Sequence, residues 1–232
     1  MKFNCLAVLA ALSFSLACSV PAMAAPPAGP SADYVFHDDE DHTIKSPDGA
    51  TTVEQYARID KDGNYHWQFW AHRSDTMTLL GPEQEDYAAD FRFTRDGRWL
   101  VRLQKTGSGA GTMFLYKLGP SGFEAATKKP FGDLIWAYFY SRPESRKVTK
   151  PNFHINTRLL DPADDGKDWS GDESWPDNDY LVLTLEGEVM PTRKHGQLFT
   201  VRDWHCRYDL ETGKFDVPES LAKDNAAALA PQ

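Results

Sequence analysis

Asp90 to Leu118 reads DFRFTRDGRWLVRLQKTGSGAGTMFLYKL, two alternating apolar runs followed by a glycine-rich break and a third run. Phe91 and Phe93 alternate with Arg92 and Thr94; after Arg95-Asp96-Gly97, Trp99, Val101 and Leu103 alternate with Arg98, Arg102 and Gln104. Alternation with period two puts one face of a strand on a core. Asp-Gly between two such runs is a turn, because Gly takes φ > 0 without steric cost and Asp tolerates it. Thr112-Met113-Phe114-Leu115-Tyr116 carries large apolar groups at successive positions, which predicts a strand buried on both sides.

The break Thr106 to Gly111, TGSGAG, tests two chemical motifs and fits neither. A dinucleotide fingerprint needs a third glycine three residues after Gly109 and a helix to follow, but Thr112 stands there and β-favouring residues follow. A nucleophile elbow needs glycines two residues either side of Ser108, and Thr106 and Ala110 occupy those positions. The reading is a hairpin loop.

The same grammar recurs on both sides. Ser46-Pro47-Asp48-Gly49 precedes a run from Val53 to Ile59, Asp60-Lys61-Asp62-Gly63-Asn64 is a further turn, and Tyr65, Trp67, Phe69 and Ala71 share a face in the next run. Trp175-Pro176-Asp177-Asn178-Asp179 precedes Tyr180 to Leu185; a turn is read at Glu186-Gly187, a partner strand from Leu198 to Leu210, and a last turn at Glu211 to Lys214. Between these regions, Phe131-Gly132-Asp133 opens a predicted helix over 134–140 that ends before Pro143, 153–160 reads as a strand, and 218–229 reads as a surface helix.

Turns at Asp48, Asp96 and Asp177, with strands ending in Tyr116-Lys117-Leu118 and Tyr208-Asp209-Leu210, resemble the WD-like blade repeat of bacterial periplasmic β-propellers. The whole chain is also similar to exported bacterial proteins without an assigned activity. The resemblance implies an all-β fold, an antiparallel meander of propeller-like blades over 44–217 with one or two short helices. Three units are fewer than the four or more blades of a closed propeller, so the ring need not be complete. It also implies binding of a protein or ligand at the end faces of the blades.

Met1-Lys2, the apolar segment Leu6 to Ala17 and Ala22-Met23-Ala24 read as a secretory signal peptide cleaved after Ala24, with lipidation at Cys18 as the alternative. Segment 25–43 reads as a flexible acidic lead-in and 218–232 as a short helix and tail. The net charge of −9 argues against nucleic acid and anionic lipid and is compatible with a basic partner. Two of the three cysteines fall in the leader, which leaves Cys206 without a disulfide partner. No later apolar run has the length of a transmembrane segment.

The sequence offers few chemical constellations. Loop Asp161 to Asp172 places Gly166 as a calcium loop does, but Ala163 replaces a ligand and Asp172 replaces the bidentate Glu, so a solvated acidic loop is expected. The run His37 to His42 reads likewise as solvated acids, no histidine spacing suggests zinc, and no metal or cofactor is expected. His205 and Cys206 are adjacent and would point to opposite faces of a strand, so Cys206 reads as buried structure. Most of the seven tryptophans are expected in the core. Trp169 and Trp175, which bracket the acidic loop, are the binding candidates, together with Asp165 and Asp172. These features favour an exported non-enzymatic binding protein with a protein or glycan partner. An acidic inhibitor of a cationic cell-envelope hydrolase is the alternative, and a carbohydrate-active enzyme a second alternative.

Overall fold

The computed structural model describes residues 29–37, 42–160, 179–189 and 200–229. Its logic starts in two turns that are atomic copies. Ser46 donates its hydroxyl to Asp48 Oδ1 at 2.6 Å and accepts the Thr51 amide at 2.9 Å, while the Ala50 amide donates to Asp48 Oδ1 at 3.0 Å. Thr94 donates to Asp96 Oδ1 at 2.7 Å and accepts the Trp99 amide at 3.0 Å, while the Arg98 amide donates to Asp96 Oδ1 at 3.0 Å. Gly49 and Gly97 close the two turns at the same φ of 68°, where any other residue is strained. The turns also touch: a Cβ on Gly97 would stand 3.8 Å from Asp48 Oδ1.

The strands run β1 (Val35–Phe36), β2 (Thr43–Lys45), β3 (Thr51–Ile59), β4 (Tyr65–Arg73), β5 (Thr76–Leu79) and β6 (Gln84–Glu85) in a first sheet. The second sheet contains β7 (Ala89–Phe93), β8 (Trp99–Gly107), β9 (Ala110–Gly119), β10 (Gly122–Ala125), β11 (Phe153–Leu159), β12 (Tyr180–Glu188), β13 (Val201–Asp209) and β14 (Lys214–Asp216). Helix α1 (Phe131–Ser141) separates β10 from β11, and α2 (Glu219–Ala228) follows β14. The fold is all-β with two helices, built of antiparallel meanders: β2 to β5, β7 to β10 and β11 to β14. The second and third meanders share a sheet because β9 and β11 meet in parallel through the pair Asn156 and Gly111. Among the described residues no strand pairing closes the meanders into a ring.

Two cores result. Val53, Phe69 and Ala71 of the first sheet pack on Phe91, Phe93, Leu100, Tyr116 and Phe123. The opposite face of β8 and β9, with Trp99, Val101, Met113 and Leu115, packs with Leu181, Leu183, Leu185, Trp204 and Cys206. Helix α1 wedges into this second core through Phe131, Ile135 and Phe139, one stripe at helical spacing.

Strand β8 therefore lies between two layers, and alternation does not divide it into a core face and a free face. Arg102 and Gln104, the polar positions of the alternating run, are 0% and 1% exposed. The Arg102 guanidinium donates to the carbonyls of Leu80 at 3.0 Å and Pro82 at 3.1 Å and to Gln104 Oε1 at 2.8 Å, and lies 3.9 Å from the centre of the Phe69 ring. Gln104 passes the network on by donating to the carbonyls of Tyr87 and Lys105. Burial pulls Arg102 down to about 10, so the group stays cationic at neutral pH.

The second sheet's edges are covered by side-chain amides. Gln55 donates to the Ala89 carbonyl at 2.8 Å and accepts the Ala89 amide at 3.0 Å, as a neighbouring strand would on β7. On β13, Asn225 of α2 accepts the His205 amide and donates to the His205 carbonyl, both at 2.7 Å. Helix α2 is thus the cover of a sheet edge, which is how an otherwise open template for pairing is blunted.

Four local expectations change. Glu186-Gly187 lies inside β12 and not in a turn; the register shifts there, and Gly187 packs so closely that a Cβ would fall 2.8 Å from Pro151. Helix α1 begins at Phe131, earlier than expected. Helix α2, read as a surface helix, has Asn225 and Ala228 buried. In the lead-in, read as flexible, Val35 and Phe36 pair with Ala57 and Tyr56. The third turn, at Asp177, lies outside the described residues.

Candidate functional site

The glycine-rich hairpin TGSGAG has a structural purpose that the sequence did not disclose. Ser108-Gly109 makes the turn between β8 and β9, with Gly109 at φ 66°. A Cβ on Gly109 would stand 2.8 Å from His154 Cδ2, and one on Gly111 would stand 2.7 Å from Asn156 Oδ1. The glycines let the hairpin tip slide under β11, and so create the seam between the second and third meanders.

At this seam the strands are irregular. The β11/β12 register shifts between Phe153 and Asn156, the β12/β13 register shifts between Leu185 and Gly187, and His154 and Asp203 adopt positive φ of 47° and 53°. Bulges and left-handed residues re-aim side chains out of the pleat. Here they place Arg158 between Glu186 Oε1 at 3.0 Å and Asp203 Oδ1 at 2.9 Å, and His154 Nδ1 at 3.3 Å from Glu188 Oε2.

Among the described residues, three clefts border the hairpin tip. The largest, about 530 Å³, is walled by Asp90, Gln104, Lys105, Asn156, Thr157 and Arg158. A second, about 390 Å³, lies on the α1 side and is bounded by Ser108, Asp133, Trp136, Phe153, His154 and Thr157. The third, about 320 Å³, is edged by His154, Glu186, Glu188, Arg202 and Asp203. Thr157 forms part of two of them, is 3% exposed, and its hydroxyl has no hydrogen-bond partner among the described residues.

A second titratable cluster lies on the first sheet, away from these clefts. His66 bridges two carboxylates, with Nε2 3.0 Å from Asp60 Oδ2 and Nδ1 2.9 Å from Glu83 Oε1. Tyr34 donates to Glu83 and accepts from Arg58 Nε at 2.9 Å. The bond to Asp60, seconded by Glu83, raises the His66 pKa, and the same bond lowers that of Asp60. The cluster ties the β3–β4 hairpin to the segment after β5.

The binding candidates Trp169, Trp175, Asp165 and Asp172 lie outside the described residues, as do Asp38 to Asp41. His37 and His42, which flank that acidic run, pack on Trp67 with ring centres 4.9 and 5.3 Å away. Among the described residues no three His, Cys, Asp or Glu side chains converge as metal ligands. Cys206 is 0% exposed and burial pushes its thiol up, which leaves it without thiolate character. Trp67, Trp70, Trp99 and Trp204 are buried, as expected of core residues. The seam residues His154, Asn156, Thr157 and Arg158 were missed; the glycine run was the signal that a close approach occurs nearby.

No family model matches the chain, and no curated protein matches it. Among solved structures it is similar to TolB from Acinetobacter baumannii, at 13% identity and TM-score 0.30, over 76% of this chain and 31% of that one. It is also similar to a protein assigned as TolB from Agrobacterium tumefaciens, at 14% identity and TM-score 0.27, over 79% of this chain and 48% of that one. The chain thus spans less than half the length of either structure. Likenesses this loose locate neither a site nor a partner, and the functional reading rests on the seam. No helix among the described residues is long and apolar enough to cross a membrane.

Proposed function

We propose that this chain is an exported, non-enzymatic binding protein that engages its partner at the seam between the second and third meanders. The observation that carries the reading is the convergence of three clefts on one glycine-rich hairpin tip, beside two residues in left-handed conformations. Binding sites are concave and hold convergent polar groups, and the clefts here are concave and rich in them. Cys206, whose thiol could serve as a nucleophile, is buried in the second core and away from the clefts. Export is proposed on the leader-like segment 1–24, with the periplasm or the exterior as destination. Trp169, Trp175, Asp165 and Asp172 are proposed as further binding residues on the sequence pattern alone.

The test is capture from cell-envelope extract by the full chain, eluted with a salt gradient, compared with a Lys105→Glu/Asn156→Ala double variant and with Trp169→Ala and Trp175→Ala. Lys105 is exposed and Asn156 half-buried, so both substitutions spare the cores. Retention of one partner by the parent chain and its loss in the double variant is the expected result. Equal capture by both proteins removes the seam as the binding surface. An enriched basic hydrolase released early in the gradient turns the reading toward the acidic inhibitor, since pairing with a chain of net charge −9 is screened by salt.

A further inference from the structure

We infer that the cleft on the α1 side of the seam is a saccharide site taking one sugar ring of a glycan, an inference that rests on the binding reading above. Its volume of about 390 Å³ falls within the usual range for small-molecule sites, roughly 300–1,000 Å³. Two kinds of group meet in it. Trp136 and Phe153 supply flat apolar surface, and Phe153 is 36% exposed. Asp133, Ser108 and His154 supply hydrogen-bonding groups of both senses. A pyranose presents this combination in reverse, with apolar C–H faces that stack on aromatic rings and a girdle of hydroxyls that each donate and accept.

Two polar atoms at the cleft are unsatisfied. Thr157 Oγ1 and Trp136 Nε1 are buried and have no hydrogen-bond partner among the described residues. Such groups are normally paired, so hydrogen-bonding capacity is left unused beneath the lining of the cleft. An anionic ligand is the poorer fit. The lining contains no Lys or Arg, and Asp133 in the first turn of α1 already answers the positive end of the helix.

The experiment is a glycan array followed by calorimetric titration of the full chain with methyl β-glucopyranoside, N-acetylglucosamine, the array's best ligand and, as the anionic control, inorganic phosphate. Phe153→Ala and Asp133→Ala, both at exposed positions, are titrated beside it, with the fold monitored by circular dichroism. Saturable binding of a saccharide that weakens roughly tenfold in each variant, with the fold retained, is the expected result. Absence of saccharide binding, indifference to both substitutions, or binding of phosphate in preference to saccharide overturns the site. If saccharides fail while capture through Lys105 and Asn156 succeeds, the sugar inference falls and the binding reading stands; if both fail, both fall.

Discussion

The first and second meanders pack face to face, whereas the second and third are joined edge to edge and splay around a helix. In the first interface Arg102 finds two carbonyls, an amide oxygen and an aromatic face, and Gln55 completes the free edge of β7. In the second, Asn156 and Gly111 pair, the strands diverge around the first turn of α1, and Thr157, Trp136 and Trp204 retain unpaired polar atoms among the described residues. One repeated meander thus yields two products. Flush faces give stability and divergent edges leave concavity, which is what a ligand needs; unpaired polar atoms do not separate the two, since Trp67 Nε1 in the first core also has no partner among the described residues.

The contrast breaks most visibly at Arg102. Arg102→Ala leaves a cavity and orphans the Leu80 and Pro82 carbonyls, and should lower unfolding free energy by about 3–5 kcal/mol in urea denaturation. A loss below about 1 kcal/mol would show that the first interface does not depend on its buried cation. Gln55→Leu should cost about 1–3 kcal/mol by exposing the Ala89 amide and carbonyl, and should raise the tendency to associate through β7, read by sedimentation. Thr157→Val sharpens the comparison from the other side: with no partner to lose, stability should change by less than about 0.5 kcal/mol or rise. A large loss there would reveal a bond that the seam is now taken to lack.

The smallest effect concerns pH. His66 is held above its ordinary value of 6.5 by Asp60 and Glu83, with Arg58 opposing. Its contribution is therefore fully present below pH 6.5 and is lost as pH rises through the raised folded value. Asp60, depressed from 3.8, contributes above that pH and loses its contribution as pH falls through its folded value. Hydrogen exchange across the β3–β4 hairpin should show protection declining from pH 6 toward pH 9, and His66→Gln should flatten that decline. An unchanged slope in the variant would place the titration elsewhere.

How legible these features were follows from the range of the forces behind them. The turns at Asp48 and Asp96 close within six residues, through a hydroxyl, a carboxylate and a glycine, so their chemistry is written in adjacent letters. The helix before Pro143 was legible in Phe131-Gly132-Asp133 and the proline stop, although its aromatic density also suited a strand; the buried stripe of Phe131, Ile135 and Phe139 emerged only in the structure. Gly187 was misread because a glycine in an apolar run marks either a turn or a close approach, and Pro151, which it approaches, is distant in sequence. The seam was legible only on one side: Gly109 and Gly111 belong to a visible glycine run, but His154, Asn156 and Asp203, which meet there, share no local pattern with it.

By itself the sequence determined the β class, the repeated turn-and-strand unit and the burial of most tryptophans, because alternation and turn chemistry act between near neighbours. Only the tertiary structure decided what lies over each face: that a first sheet covers Arg102 and Gln104, that an asparagine on α2 completes β13, and that a glycine hairpin meets β11. Alternation states which side chains share a side of a strand, and nothing within the strand states whether water or another layer stands opposite.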